Sequence, residues 1–194
     1  MDRETELTLV ARLRAGETDA FDVVHAEFNG RLFAFLARLA RSRDVAEDLL
    51  EETWLRLVEH ADRLRDDTRL AAWLFTVARN LYVSYCRSRM LEYSRIPGMI
   101  GLWPTSFQAS PFEETAGNEL GRRLEAALAG LPVVYREVLL LVGVEGLRPA
   151  EAAQVCGISG DALRQRLSRA RALLEQRLRE TAPPLVSQLK EARS

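Results

Sequence analysis

The sequence predicts an all-α protein, built as two small helical domains joined by an irregular linker. Apolar residues recur at three- and four-residue spacing along most of the chain, which is the period of an amphipathic helix. The two-residue alternation typical of half-buried strands does not occur over any convincing length. Between residues 91 and 118 the helical period stops, and three prolines and three glycines interrupt the chain.

Size and composition are those of an ordinary globular protein of one or two domains, with 194 residues, 47% hydrophobic and 28% charged. Cys86 and Cys156 lie in separate apolar segments and are expected to be reduced, buried thiols. No apolar run approaches the ~18 residues of a membrane span, and the first residues do not resemble a signal peptide. We therefore expect a cytoplasmic protein without membrane insertion.

Six apolar-periodic segments define the helices expected ahead of the C-terminal motif. They cover residues 7–13, 21–39, 45–58, 70–85, 120–128 and 134–142. The resulting organisation is a first domain at 1–90, a linker at 91–118, a second domain at 119–180 and a tail at 181–194. The linker is too apolar for an inert spacer, which favours a segment that docks on another molecule. Its large apolar residues are Ile96, Met99, Ile100, Leu102, Trp103 and Phe107.

Charge is distributed unevenly, although the formal net charge is only −1. Residues 44–67 hold nine acidic residues against three arginines, whereas residues 69–95 hold five arginines against one glutamate. The segment 159–178 is again rich in arginine. This distribution predicts one acidic surface for a protein contact and two basic surfaces for polyanions.

The segment "SGDALRQRLSRARALLEQRL" predicts a helix with one apolar stripe and a basic outer side. The stripe, which must face a core, consists of Leu163, Leu167, Ala170, Leu174 and Leu178. The polar side and its shoulders carry Arg164, Gln165, Arg166, Ser168, Arg169 and Arg171. Small residues allow close approach to DNA, and arginine can pair with guanine or hold phosphates, so a helix in the major groove is expected.

The residues before this helix favour a helix-turn-helix. Pro149 stands near a helix start, Ala153 is small enough for a helix crossing, and Gly157 permits a turn with positive φ. Ser159 offers an N-cap and Leu163 a buried anchor, which completes the spacing of the motif. An ordinary helical hairpin is the alternative interpretation of the same pattern.

The basic segment "RLAAWLFTVARNLYVSYCRSR" combines arginines with aromatic rings. Such interleaving suits unstacked or single-stranded nucleic acid, whose bases stack on rings while basic groups meet phosphates. Its candidate contact residues are Arg69, Trp73, Arg79, Asn80 and Arg87. The alternative is a core aromatic stripe on a solvated helix, above all for Trp73.

Three motifs in one order carry a family resemblance: "DVAEDLLEETWLRL", then "LAAWLFTVARNLYVSYCRSR", then "LAGLPVVYREVLLLVGVEGLRPAEAAQVCGISGDALRQRLSRARALL". From about residue 21 to residue 178 the chain resembles the extracytoplasmic-function (ECF) group of bacterial RNA polymerase sigma factors. The resemblance implies a promoter-specificity subunit that directs core RNA polymerase to promoter DNA and initiates transcription. Its two domains would correspond to sigma regions 2 and 4.

By the same resemblance, the acidic helix would contact the polymerase clamp through Asp48, Glu51, Glu52 and Trp54. The loop 64–70, with the contact residues of the basic segment, would open the −10 element and hold an extruded base. The last helix would bind the −35 element, and the linker would thread the RNA exit path. Asp161, Ala162 and Arg164 depart from the family's usual residues, so its −35 base preference does not transfer.

A stand-alone helix-turn-helix regulator is the alternative function, but it leaves the acidic helix and the basic aromatic segment unexplained. An enzyme is not expected, since no phosphate loop, nucleophile elbow, metal-ligand set or carboxylate pair is present in the sequence. No cofactor or metal is expected either. Family members are commonly held by an anti-sigma factor, and the resemblance leaves open whether this chain has one.

Overall fold

The computed structural model describes residues 2–94 and 119–180, which form eight α-helices. The first domain contains α1 (Arg3–Arg14), α2 (Thr18–Ala40), α3 (Arg43–His60) and α4 (Leu70–Ser94), with a 3-10 turn at Ala61–Arg63. The second contains α5 (Glu119–Ala129), α6 (Val133–Leu139), a π-helical turn (Leu140–Val144), α7 (Pro149–Cys156) and α8 (Gly160–Glu180). No strand occurs in either described range, and the all-α prediction is confirmed.

The predicted domain bounds stay predictions. Helix α4 continues to Ser94, beyond the predicted end of the first domain at residue 90. The rest of the linker, residues 95–118, and the tail after residue 180 lie outside the described residues. The expectation that the apolar linker docks on another molecule therefore falls on residues that the structure does not describe.

The core of the first domain lies where α2, α3 and α4 pack on one another. Phe35 and Phe75 meet edge to face with ring centroids 5.2 Å apart, and Leu32, Leu36 and Leu74 around them are fully buried. Burial of each such side chain stabilises the fold by roughly 1.5–3 kcal/mol. Because the buried positions follow the three- and four-residue spacing of the sequence, the amphipathic pattern orients these helices.

A tight corner joins α2 to α3. Arg41 ends α2 in the left-handed conformation with φ of 55°, and its N–H donates to Ala37 O at 2.8 Å. The next residue, Ser42, caps α3 by accepting from Val45 N–H at 3.4 Å. Glycine is the usual residue at such a helix end, because a Cβ costs about 1–2 kcal/mol there. The corner turns α3 back along α2, where the two helices pack.

A buried carboxylate fixes the start of α4. Glu6 of α1 is 7% exposed, and its Oε1 accepts from the backbone N–H of Leu70 at 2.8 Å. Its Oε2 accepts from Arg3 at 2.6 Å and from Arg69 at 3.2 Å. Arg3 also donates to the carbonyl oxygens of Asp67 and Thr68 at 2.8 and 3.1 Å. An N-terminal helix thus anchors both the loop before α4 and its first turn, where helix N–H groups otherwise lack partners.

Arg136 holds the second domain together from inside. It is 4% exposed, and its guanidinium donates to the carbonyl oxygens of Leu128, Ala129 and Leu131 at 2.7–3.0 Å, at the end of α5. Burial lowers the pKa of Arg136 to about 10, so the group is still charged at neutral pH. A buried cation is tolerated here because the C-terminal carbonyl groups of a helix carry partial negative charge.

The two domains pack directly on each other. Helix α4 lies against α7, and α2 lies against α6. Arg136 crosses this contact as well, donating to the carbonyl oxygen of Arg38 near the end of α2 at 2.9 Å. The sequence predicted two domains but nothing about how they meet.

Candidate polymerase and nucleic-acid interfaces

The acidic helix is α3. Asp48 and Glu51 are exposed on it, and Glu52 is half-buried and pairs with Arg56 at 2.7 Å. Trp54, the fourth predicted polymerase contact, is only 8% exposed, and its Nε1 donates to Asn29 Oδ1 at 3.0 Å. The carboxylates are therefore available to a partner, whereas most of the tryptophan belongs to the core.

An apolar groove of about 410 Å³ runs beside these carboxylates, between α2 and α3. His25 and Phe21 pack on the Trp54 ring at centroid distances of 4.8 and 5.7 Å and form one end of the groove. Leu55 and Val58, 50% and 63% exposed, form its other side. We call it the acidic groove, and its lining residues are Phe21, His25, Glu47, Leu50, Glu51, Trp54, Leu55 and Val58. Exposed apolar side chains beside carboxylates suit a protein partner with a basic, partly apolar surface.

The predicted −10 residues lie along α4 in two environments. Asn80 and Arg87 are exposed. Arg69 and Arg79 are half-buried in ion pairs, and Arg79 Nε donates to Glu137 Oε2 of the second domain at 3.1 Å. Trp73 is half-buried and packs against the core. The alternative of a core aromatic residue therefore holds for the buried part of this side chain.

The loop between α3 and α4 is strongly charged. Arg63, Arg65, Asp66 and Asp67 are exposed around Leu64, which is 4% exposed and anchors the loop in the core. Together with Arg14 of α1, which pairs with Asp66, they line an open hollow of about 560 Å³. The hollow is polar and wide open, and its three arginines are balanced by three aspartates, because Asp62 lines it as well.

The helix-turn-helix consists of α7, a short turn and α8. Gly157 ends α7 in the left-handed conformation with φ of 65°, and Ile158 N–H donates to Ala153 O at 3.0 Å. Ser159 then caps α8, accepting through Oγ from Ala162 N–H at 3.2 Å. Pro149 stands at the first position of α7, where its missing N–H costs nothing. The turn residues thus take the roles that the sequence predicted for them.

The outer face of α8 is solvent-exposed. Leu163, Leu167 and Ala170 are buried against the domain, as predicted, whereas Leu174 and Leu178 of the same predicted stripe are half-buried. Gln165, Ser168, Arg169 and Arg171 are exposed, and Arg164 is exposed while paired with Asp161. Arg166 differs from these, because it turns back and lies 3.6 Å from the buried carboxylate of Glu137. Five of the six predicted −35 residues therefore face solvent.

Sequence reasoning missed three buried charges: Glu6, Arg136 and Glu137. Arg136 and Glu137 interrupt an apolar segment and Glu6 directly precedes one, yet periodicity marks such residues only as polar. Glu137 is 2% exposed and contacts arginines of both α4 and α8, at 3.1 and 3.6 Å. Its neighbour Cys156 is a free, buried thiol, and Cys86 is a free, half-buried one. For Arg136 and Glu137, the available sequence signal was the presence of two charged residues within the apolar run "VVYREVLLLV".

These features together define a two-domain helical protein with an apolar groove bordered by carboxylates on α3 and exposed arginines on α4 and α8. The family model of sigma-70 region 2 matches residues 24–91, and that of sigma-70 region 4 matches residues 121–174. The ECF RNA polymerase sigma factor EcfG of Rhodopseudomonas palustris is 36% identical over 74% of this chain and 76% of its own length. The RNA polymerase sigma factor CarQ of Myxococcus xanthus is 32% identical over 87% of this chain and 95% of its own.

The chain belongs to the ECF RNA polymerase sigma factors. Sigma factors bind core RNA polymerase and promoter DNA and act in transcription initiation. A stand-alone helix-turn-helix regulator is not favoured, because both family regions occur in one chain.

Two solved structures share the fold. The sigma factor RpoE of Bartonella quintana, solved with the anti-sigma factor NepR, has a TM-score of 0.68 and 28% identity over 84% of this chain and 98% of its own. CnrH, solved with the cytosolic domain of CnrY, has a TM-score of 0.68 and 23% identity over 92% and 99%. Within residues 2–94 and 119–180, the helices are too short or too polar to span a membrane.

Proposed function

We propose that the acidic groove of α3 binds core RNA polymerase through Asp48, Glu51 and Glu52 around the buried ring of Trp54. Charge and apolar exposure support this role together. Carboxylates on the rim steer a basic partner, and the exposed side chains of Leu55 and Val58 supply the apolar contact that holds it. The observation that supports the proposal most is the separation of charge: this groove is bordered by carboxylates, whereas the exposed arginines lie on α4 and α8.

We infer that the start of α4 and the loop before it act on the −10 element. Extruding a base costs a few kcal/mol of lost stacking, which a polar pocket and an aromatic ring must offset. Trp73 offers a partly accessible ring, Asn80 an exposed amide for a base edge, and Arg87 an exposed guanidinium for phosphate. Arg69 and Arg79 become available for the same strand once their ion pairs open. Glu6 supports the loop from within and is a positioning residue.

Helix α8 is inferred to contact the −35 element with its exposed side. Arg164, Gln165, Ser168, Arg169 and Arg171 supply donors for base edges and phosphates. Arg166 has a different role in this arrangement, because its pairing with Glu137 braces α8 against the domain. It reaches DNA only if that pair separates.

The chain supplies specificity, and we propose that it has no catalytic group of its own. Burial raises the pKa of the Cys156 thiol to about 12, which removes it as a nucleophile at neutral pH. Among the described residues, no group of His, Cys, Asp and Glu is arranged to hold a metal ion. We further propose that the protein acts in the cytoplasm, where its polymerase partner works, and that an anti-sigma factor controls it. The relative crystallised with NepR motivates that last proposal.

Run-off transcription tests the proposed function. Core RNA polymerase is assayed on a library of promoters with and without the protein, and the expected result is a subset of transcripts that depend on the protein. A chain that instead binds palindromic DNA tightly without polymerase, and yields no transcript with it, contradicts the proposal.

Substitution of Arg169 and of Arg171 should distinguish base recognition from phosphate binding on α8. Arg169 lies opposite the leucine stripe beside Gln165 and should reach a base edge, so Arg169→Ala should cost ~1–3 kcal/mol at one −35 position. Arg171 lies nearer the domain and should hold a phosphate, so its loss should weaken all sequences alike and reduce the salt slope by about one. The measurement is holoenzyme binding to −35 variants at two salt concentrations. Equal scaling of every sequence by both variants contradicts this orientation of the helix.

A further inference from the structure

Helix α8 has one acidic side chain in the middle of its exposed side. At 100° per residue, Asp161 points away from the domain, opposite the buried Leu163 and Ala170, and its side chain is 79% exposed. No other acidic residue follows on α8 until Glu175. Asp161 is therefore an exception on a side of the helix that is otherwise basic or neutral over these residues.

An acidic residue at this place is unfavourable for DNA binding unless another interaction compensates. B-DNA carries one negative charge per ~1.7 Å of its axis, so a lone carboxylate on the proposed −35 side of α8 would repel every promoter sequence alike. An acid in the first turn interacts favourably with the helix dipole, but the gain is small. The start of α8 is already capped by Ser159, which accepts from Ala162 N–H at 3.2 Å. Helix stability therefore gives only a weak reason for Asp161.

Arg164 is the partner of Asp161. One terminal nitrogen of its guanidinium donates to Asp161 Oδ1. The other terminal nitrogen lies over the first turn, 3.8 Å from the position that a Cβ on Gly160 would take. The guanidinium thus extends back toward the N-terminus of α8, and the N-terminal residues of this helix are the ones that contact base edges in helix-turn-helix proteins. Its side chain is 71% exposed, so its direction depends on the carboxylate and not on packing.

The other proposed −35 arginines differ from Arg164. Arg169 and Arg171 are exposed, and no ion pair joins either of them to a residue of the two described ranges. Arg166 lies against the buried Glu137. Arg164 is thus the arginine of this set that combines exposure with a fixed direction. A restrained guanidinium loses less side-chain entropy on binding, and two parallel hydrogen bonds to one base require its plane to be oriented. Guanine offers two such acceptors, O6 and N7, in the major groove.

We propose that Asp161 is a specificity-determining residue of the −35 contact, which positions Arg164 to bind a guanine through O6 and N7. The carboxylate accepts from one nitrogen of the guanidinium and leaves its remaining donors to the base. It also neutralises the charge of Arg164, which reduces the attraction of that side chain to phosphates. The inference rests on the proposed function, since it deepens the role of α8 at the −35 element. Asp161 acts through Arg164 and is a positioning residue.

Selection of −35 sequences by the holoenzyme tests the inference. Core RNA polymerase with the wild-type or a variant chain binds a promoter identified by run-off transcription, with its −35 element randomised, and the bound duplexes are sequenced. The wild-type holoenzyme should select guanine at one position where the Arg164→Ala holoenzyme has no preference. Asp161→Ala should reduce the guanine preference at this same position by at least about fivefold, which corresponds to the weakest bidentate base contact. Its affinity for sequences without that guanine should rise, because a negative charge near the phosphates is lost.

Three further variants separate positioning from a general effect of the ion pair. Glu175→Ala is the matched control, because Glu175 forms an exposed pair with Arg179 on the same helix. At 1.5 Å per residue this pair lies about 21 Å beyond Asp161, further than the ~12 Å width of the major groove, so its loss should leave every base preference unchanged. Arg164→Lys keeps the charge but not the planar fork and should lose the guanine preference. Asp161→Ala/Arg164→Ala should show the same base preferences as Arg164→Ala alone, since a positioning residue has no effect without its partner.

Each outcome decides the question. If Asp161→Ala changes the affinity for all sequences by one factor, or if Arg164→Ala leaves the selected guanine intact, the inference is overturned. If Asp161→Ala loses helical circular dichroism, Asp161→Asn replaces it. The amide keeps the shape and one acceptor but not the charge, so the guanine preference should fall about twofold, and no fall overturns the inference. A wild-type holoenzyme that selects no −35 sequence contradicts the proposed role of α8. A selected −35 sequence that Asp161→Ala leaves unaffected contradicts only the positioning.

Discussion

Reversal of the charges on the acidic groove is expected to abolish binding to core RNA polymerase. In Asp48→Arg/Glu51→Arg, two exposed carboxylates that should meet a basic polymerase surface become guanidinium groups. Like charges across an interface cost several kcal/mol, which is enough to lower affinity by 100-fold or more. The measurement is co-purification with core polymerase, followed by a titration of fluorescently labelled chain.

The fold should survive this change. Both positions are exposed on α3, where substitutions usually alter the free energy of unfolding by no more than about 0.5 kcal/mol. Glu175→Arg/Glu180→Arg is the matched control, since it adds the same charge on the second domain and should bind core polymerase normally. Unchanged co-purification of the Asp48→Arg/Glu51→Arg variant shows that the groove is not the polymerase contact. Adding Glu52→Arg extends the test to a carboxylate that Arg56 already neutralises in part.

Loss of the Asn80 side chain should impair promoter opening without weakening polymerase binding. Asn80→Ala removes an exposed amide from the proposed base-contacting face of α4, and lost hydrogen bonds to an extruded base slow the opening step. We expect a 10- to 100-fold reduction in open complex, for a loss of about 1.4–2.7 kcal/mol. Permanganate reactivity of unpaired thymines at −10 measures it.

A pre-melted template distinguishes opening from packing. If Asn80 acts on strand separation, a promoter already unpaired at −10 should restore most of the lost activity. Trp73→Phe is tested in the same assay as Asn80→Ala, because an aromatic ring keeps the core contact of the half-buried side chain. Truncation of a packed Trp to Ala would instead cost ~3–5 kcal/mol of stability. Ser88→Ala, an exposed change on the same helix, should behave as wild type. Defects that persist on the pre-melted template in a folded protein assign these residues to packing instead.

The sequence predicted most of the secondary structure because helix formation is decided locally. The spacing of Leu163, Leu167 and Ala170 determines which side of α8 is buried, and Gly157 and Ser159 mark the turn before it. Such signals extend over one or two helical turns, and each has a single physical cause. The order of three motifs across the chain also sufficed to indicate the family.

The candidate sites were predicted less completely. Exposure of Asp48, Glu51, Asn80 and Arg169 agrees with their proposed roles, yet no sequence pattern distinguishes them from other solvent-exposed residues. Trp54 is mostly buried, although the resemblance alone suggests a contact residue. A helical wheel gives the side of a helix but not what packs on it, so it cannot separate a half-buried ring from an accessible one.

The sequence by itself determined the helices, the two domains, the charged segments and the family to which the chain belongs. Only the tertiary structure decided which arginines form ion pairs with residues distant in the sequence. Arg79 and Glu137 are 58 residues apart in the chain, and Arg31 and Glu145 are 114 apart. Whether such residues meet depends on the path of the whole backbone and on the desolvation of both charges at once. Helical periodicity, which relates residues three or four positions apart, contains no information about that pairing.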